Sequence, residues 1–245
     1  MSENDINRRS ALKRTGTILS VGSVLATGSV TTVAAENEEQ QETQQLTEDV
    51  ASQQSLELGE DATFSTFEFT STGQSGNATT GQGVNAGANR MEAGIEASSL
   101  ITTESGQSFV LMGASVDVTG DENTSQDAII TYSGQYNGEL EAGLGLSSTF
   151  VEIDAQYETT SVPGVQRVNI INERKSVGKA SYEDEFVVTQ SATIDANEQY
   201  LFYASMTLGA SAEVGSASAD FGPYVGGPTS PPQGVTVESI EINFV

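Results

Sequence analysis

The chain has 245 residues with 34 Asp plus Glu against 9 Lys plus Arg, a net charge of -25, and it contains no His, Cys or Trp. That inventory excludes a Ser-His-Asp triad, imidazole metal ligands, thiol nucleophiles, zinc knuckles and disulfides, and leaves carboxylate chemistry and oxygen-ligand metal sites. Charged residues are only 18% of the chain, so the negative charge reflects scarce Lys and Arg more than abundant acid. The balance suits molar salt, where the Debye length falls to about 3 Å and self-repulsion is screened. So few bases cannot build a basic face for nucleic acid or an anionic bilayer.

At the N-terminus, Arg8 and Arg9 are followed by Leu12 and Lys13 and then by an uncharged stretch, 15–35, rich in Gly, Ser and Thr. Residues 1–35 resemble a twin-arginine signal peptide, and the pattern is similar to exported proteins of halophilic archaea. The resemblance implies a twin-arginine translocase as partner during export, with Arg8 and Arg9 as the signal it reads. Small residues at Val33, Ala34 and Ala35 suit a peptidase, and only 10 of the 21 residues from 15 to 35 are Ala, Val, Ile or Leu. Cleavage is therefore expected, with no stable membrane span in the product. Removing this segment takes away Glu3, Asp5, Arg8, Arg9, Lys13 and Arg14, which leaves 32 acids and 5 bases. The expected location is extracellular or cell-surface.

Residues 36–56 follow as an acidic, Gln-rich flexible linker, because a segment with almost no large apolar side chain cannot offset the entropy of ordering. From 57 to 245 the texture changes to period-2 alternation broken by Gly, Asn, Asp and Pro, the pattern of strands and turns. Strands are expected at 90–97, 109–118, 128–136, 140–146, 150–158, 167–171, 186–194 and 200–214, with long loops at 71–87 and 222–234. In 150–158, Val151, Ile153, Ala155 and Tyr157 fall on a core face, while Glu152, Asp154, Gln156 and Glu158 fall on a solvent face. A last strand begins with Val235 and Val237 on one parity and continues with Ile240, Ile242 and Phe244 on the other, so a bulge is expected around Ser239. Nine short strands without intervening helices predict one all-β domain, an antiparallel two-sheet β-sandwich of jelly-roll or Greek-key type.

Four groups of residues offer sites. Asp121, Asn123, Ser125 and Asp127 alternate as oxygen ligands do around Ca²⁺, but Gln126 and Tyr132 stand where an EF-hand loop has Gly and Glu. A solvated turn explains the same residues. Glu152, Asp154 and Glu158 form a carboxylate row whose spacing permits the acid and base of a glycoside hydrolase, with Tyr132, Tyr136 or Tyr157 to stack on a sugar. Arg167, Arg174, Lys175 and Lys179 gather four of the five bases left after processing. They could receive an anionic glycan or an acidic surface protein, or else balance neighbouring acids. Asn77 and Asn123 begin glycosylation sequons.

The reading that follows is a secreted, non-catalytic β-sandwich acting at the cell surface or in the extracellular matrix through adhesion, ligand binding or self-assembly as a homo-oligomer. A carboxylate-dependent hydrolase acting on polysaccharide is the alternative.

Overall fold

The computed structural model describes residues 54–100, 102–159, 161, 164–223 and 233–245. Arg8, Arg9 and the leader, and all but the last three residues of the acidic linker, lie outside the described residues. Twelve strands are present among the described residues: β1 (Gln54–Glu57), β2 (Ala62–Phe64), β3 (Phe69–Gly76), β4 (Thr79–Asn85), β5 (Arg90–Ser99) and β6 (Glu104–Thr119), then β7 (Ser125–Ala142), β8 (Leu146–Thr159), β9 (Gln166–Lys175), β10 (Gly178–Asp195), β11 (Gln199–Phe221) and β12 (Gly234–Phe244). A single 3-10 turn, Ala86–Ala88, interrupts them. No helix among the described residues is long and apolar enough to cross a membrane.

The strands form antiparallel sheets, with β1 alongside β6 as the parallel exception. In one sheet β6 pairs with β1 and β3 on one side and β11 on the other, and the order continues through β8 to β9. In the other, β4 pairs with β5, β5 with β11 and the start of β12, and β12 and β11 with β7, whose far side carries β10. Strand β11 belongs to both. Its residues up to Val214 pair with β6 and β8, and from Gly215 onward it pairs with β5 and β7. The change happens at a glycine because Gly215 has φ +107, and a Cβ there would lie 2.7 Å from the Leu144 carbonyl oxygen. Only a residue without a side chain accepts both conditions.

Alternation along each strand gives one core to which both sheets contribute. Met91 and Ile95 of β5, Val110 and Met112 of β6, Ile130 and Tyr132 of β7, Val151 and Ile153 of β8, Phe202 and Leu208 of β11, and Val237 and Ile240 of β12 all belong to it. Burying a side chain such as Phe202 contributes about 1.5 to 3 kcal/mol. Two buried hydroxyls are satisfied inside: Tyr132 donates to the Gln156 carbonyl at 2.6 Å, and the Tyr200 oxygen accepts from the Asp195 amide at 2.8 Å.

The all-β, antiparallel character agrees with the alternation, and so does the register shift of β12 between Val237 and Ser239. Three expectations are corrected. The stretch 71–87 carries β3, paired with β6, and β4, paired with β5, instead of a loop, and Gly73 is accommodated in β3 because the ring of its cross-strand partner Phe109 covers it. The strands expected at 128–136 and 140–146 are divided differently: β7 runs unbroken from Ser125 to Ala142 through Gly138, where the Phe221 ring fills the place of the missing side chain, 143–145 form no strand, and Leu146 begins β8. The end of the expected linker, Gln54 to Leu56, lies in β1, where Leu56 is buried.

Candidate functional site

Of the row Glu152, Asp154, Gln156 and Glu158 on β8, only Glu152 reaches solvent. Asp154, Gln156 and Glu158 are buried at 4, 7 and 9% exposure. Across the strand pair they meet Ser205, Tyr203 and Leu201 of β11. Tyr203 is itself buried, edge-on to Phe69 with ring centroids 6.1 Å apart. The amide of Gln156 donates to Ser205 Oγ at 2.5 Å.

On the other flank a register shift between Ile153 and Asp154 sets Asn169 of β9 opposite Asp154. Asn169 Nδ2 donates to Asp154 Oδ1 at 2.9 Å and to the Ile171 carbonyl at 3.1 Å. Arg167 Nη1 lies 3.5 Å from Glu152 Oε1 and 3.6 Å from Asp154 Oδ2, joining the two acids.

Burial dominates the electrostatics of this face. It pushes the Glu158 carboxyl up to about 7 and the Asp154 carboxyl up to about 6, the latter against the Asn169 hydrogen bond and the Arg167 charge. It also raises Tyr203, to which the charges of Glu158 and Asp154 add. Glu158 Oε1 is buried with no hydrogen-bond partner. The two raised carboxyls stand four residues apart on one strand, about 13 Å. The closer pair, Glu152 and Asp154, has hydrolase spacing, about 7 Å, but a sugar has no room over a carboxylate that is 4% exposed.

The Ca²⁺ candidates lie in and beside the tight turn between β6 and β7. Asn123 takes φ +60, and Thr124 closes the turn onto the Asp121 carbonyl through its amide at 3.3 Å and its hydroxyl at 2.7 Å. Asp127 Oδ1 accepts from Thr193 Oγ1 at 2.8 Å, across β10. Among the described residues no three acids gather as a metal-binding group.

The four bases are not brought together. Arg167 joins Glu152 and Asp154, Lys179 pairs with Glu139 at 2.6 Å, and the Arg174 guanidinium sits 5.4 Å over the Phe150 ring. Lys175 stands opposite Thr149 near the β9–β10 turn. Of the sequons, Asn123 is exposed, while Asn77 lies in the connection between β3 and β4, its Oδ1 accepting from the Ser105 amide at 2.9 Å. Tyr132 and Tyr157 pack in or against the core, and neither is free to stack on a ligand.

Tyr136 instead borders a hollow of about 460 Å³, lined also by Arg90, Gln135, Asn137, Glu183, Asp184, Glu185, Gly234 and Thr236. This grouping was not legible in the sequence, where Gln135 and Asn137 look like any solvated strand face. Only the pairing of β7 with β12, about a hundred residues further on, assembles it. A second hollow, about 450 Å³, lies among Gly145, Leu146, Ser147, Ser148, Ser176, Ser211 and Glu213.

No protein-family model matches this chain, and no curated protein matches it. Among solved structures it is similar to the enzymatically active domain of bacteriophage CBA120 tailspike protein 4. The two are 9% identical with a TM-score of 0.25, over 72% of this chain and 19% of that one. A likeness at that level says nothing about function.

Proposed function

We propose that this chain is a secreted, non-catalytic β-sandwich of jelly-roll or Greek-key type that binds ligand at the cell surface or in the extracellular matrix. One observation carries the non-catalytic part: the carboxyls best spaced for hydrolysis, Glu152 and Asp154, are tied to one Arg167, and Asp154 is buried. A hydrolytic acid and base need an open cleft between them. Export rests on Arg8 and Arg9 with the uncharged stretch behind them, and life in high salt rests on the charge balance. Glycosylation at Asn77 or Asn123, and association of copies, belong to the same extracellular reading.

Two measurements test it. Arg8→Lys combined with Arg9→Lys leaves the precursor inside the cell, and unchanged secretion of that variant removes the export claim. The secreted chain releases no reducing ends from polysaccharide. Release that disappears in Asp154→Asn would restore the hydrolase.

A further inference from the structure

The hollow beside Tyr136 is built on four adjacent strands. Register places Arg90 of β5 against Thr236 of β12, Thr236 against Gln135 of β7, and Gln135 against Glu185 of β10. Two residues along β7, Asn137 lies between Gly234 and Glu183. These residues alternate with the core residues Met91 and Val235, so they share the outer face of the sheet. The first row spans about 14 Å at the usual strand spacing, and the second lies about 7 Å from it. Gly234 opens the floor: a Cβ there would lie 3.0 Å from Arg90 Cγ.

What distinguishes this face from the one on β8 is that its polar groups are unspent. On β8, Asp154 and Gln156 are hydrogen-bonded to neighbouring strands. Among the described residues, the side chains of Gln135, Asn137, Thr236, Glu183 and Glu185 make no hydrogen bond to the rest of the protein, although all stand on paired strands. Amides, a hydroxyl and carboxylates carried on strands of fixed register together offer donors and acceptors that a hydrogen-bonding ligand can use.

Charge narrows the ligand. Arg90 is occupied by Glu92, with Nε donating to Oε1 at 2.6 Å, so no free cation is left to hold a polyanion. Glu183, Asp184 and Glu185 would repel one. Tyr136 is the only side chain with a substantial apolar surface in the lining, which excludes an apolar ligand. Ion pairing to a cation fades where the Debye length is about 3 Å, whereas hydrogen bonds to hydroxyls persist. We propose that this hollow binds a segment of neutral, hydroxyl-rich polysaccharide, with Gln135, Asn137, Glu183 and Glu185 as its hydrogen-bonding residues. The proposal rests on the non-catalytic, ligand-binding reading above and gives it a site.

The test is retention of the full secreted chain, in molar NaCl, on immobilised dextran, amylose and mannan, with heparin and chitosan as charged comparisons and free Ca²⁺ as a competitor. Retention is expected on at least one neutral polysaccharide and should weaken about tenfold in Gln135→Ala with Asn137→Ala, since each loses a hydrogen bond. The melting temperature should not change. Glu185→Gln serves as a second variant should the double variant fold poorly, and Glu213→Gln, in the other hollow, should bind as wild type. Retention on heparin or chitosan alone, abolition by Ca²⁺, no retention on any neutral chain, or wild-type retention of both site variants would overturn the proposal. Reducing-end release accompanying retention would instead sink the non-catalytic reading and leave the site standing. Attachment to cells without retention on any neutral polysaccharide would do the reverse.

Discussion

The Phe150 ring occupies the space that a side chain at Gly209 would need. The two are cross-strand partners on β8 and β11, and a Cβ at position 209 would collide with the ring edge. Gly73 beneath Phe109 and Gly138 beneath Phe221 repeat the arrangement. Rings therefore supply the packing that strand glycines lack, which is how strands this rich in glycine stay paired. Gly209→Ala should force the ring off its rotamer and lower stability by about 1 to 3 kcal/mol. A thermal melt checks this, and an unchanged midpoint would show the ring moving away at no cost.

The Arg174 guanidinium lies over that same ring, 5.4 Å from its centroid. Replacing it tests whether the base supports the fold or a partner. Arg174→Gln with Lys175→Gln should lower stability by no more than about 1 kcal/mol, the worth of an exposed cation–π contact. Attachment to acidic glycans should weaken only if these exposed bases meet an anionic partner. Loss of stability beyond that range would mark Arg174 as structural.

Alternation was informative where a strand has one dry and one wet face, and the strands at 128–136, 186–194 and 200–214 lie within β7, β10 and β11. It failed on β8 because a residue's face is set by what covers it. Asp154 and Glu158 read as solvent-facing, yet they are buried beside Tyr203 and Leu201. Glycine misled for a related reason, since Gly73 and Gly138 look like turn residues until the covering rings are located. The hollow at Gln135 and Asn137 was hidden because its walls come from β5, β7, β10 and β12, far apart in the chain.

Stability should fall as pH rises toward neutrality. Glu158 sits at about 7 against its ordinary 4.5, and Asp154 and Asp220 at about 6 against 3.8, all raised by burial. Between the ordinary and raised values the folded chain holds protons that the unfolded chain has released. Stability is therefore full below about pH 4 and is lost as pH climbs through 6 and 7. Melts at pH 5 and pH 8 at fixed salt should show the lower midpoint at pH 8. Glu158→Gln, which keeps a neutral group in place, should reduce that difference, and an equal difference in the variant would clear Glu158 of responsibility.

Salt should act in the stabilising direction. With 34 acids against 9 bases and a net charge of -25, unscreened repulsion opposes the compact state, and molar NaCl removes it. The midpoint should climb with NaCl concentration and level off once the charges are screened. A midpoint indifferent to salt would remove the case for a halophilic habitat.

Calcium provides the last test, since the turn carrying Asp121, Asn123, Ser125 and Asp127 has the right atoms in a poor arrangement. Asp127 Oδ1 is already accepting from Thr193, and Thr124 closes the turn onto the Asp121 carbonyl. An ion seated there would have to break the first bond and reshape the turn. A ligand bound only by the folded state raises stability by about 2.7 kcal/mol at a hundredfold excess over its dissociation constant. We expect no such rise when Ca²⁺ replaces an equal ionic strength of NaCl, and no fall on adding chelator. A calcium-dependent increase that vanishes in Asp121→Asn would establish the site, and the bond between Asp127 and Thr193 would then belong to the metal-free state alone.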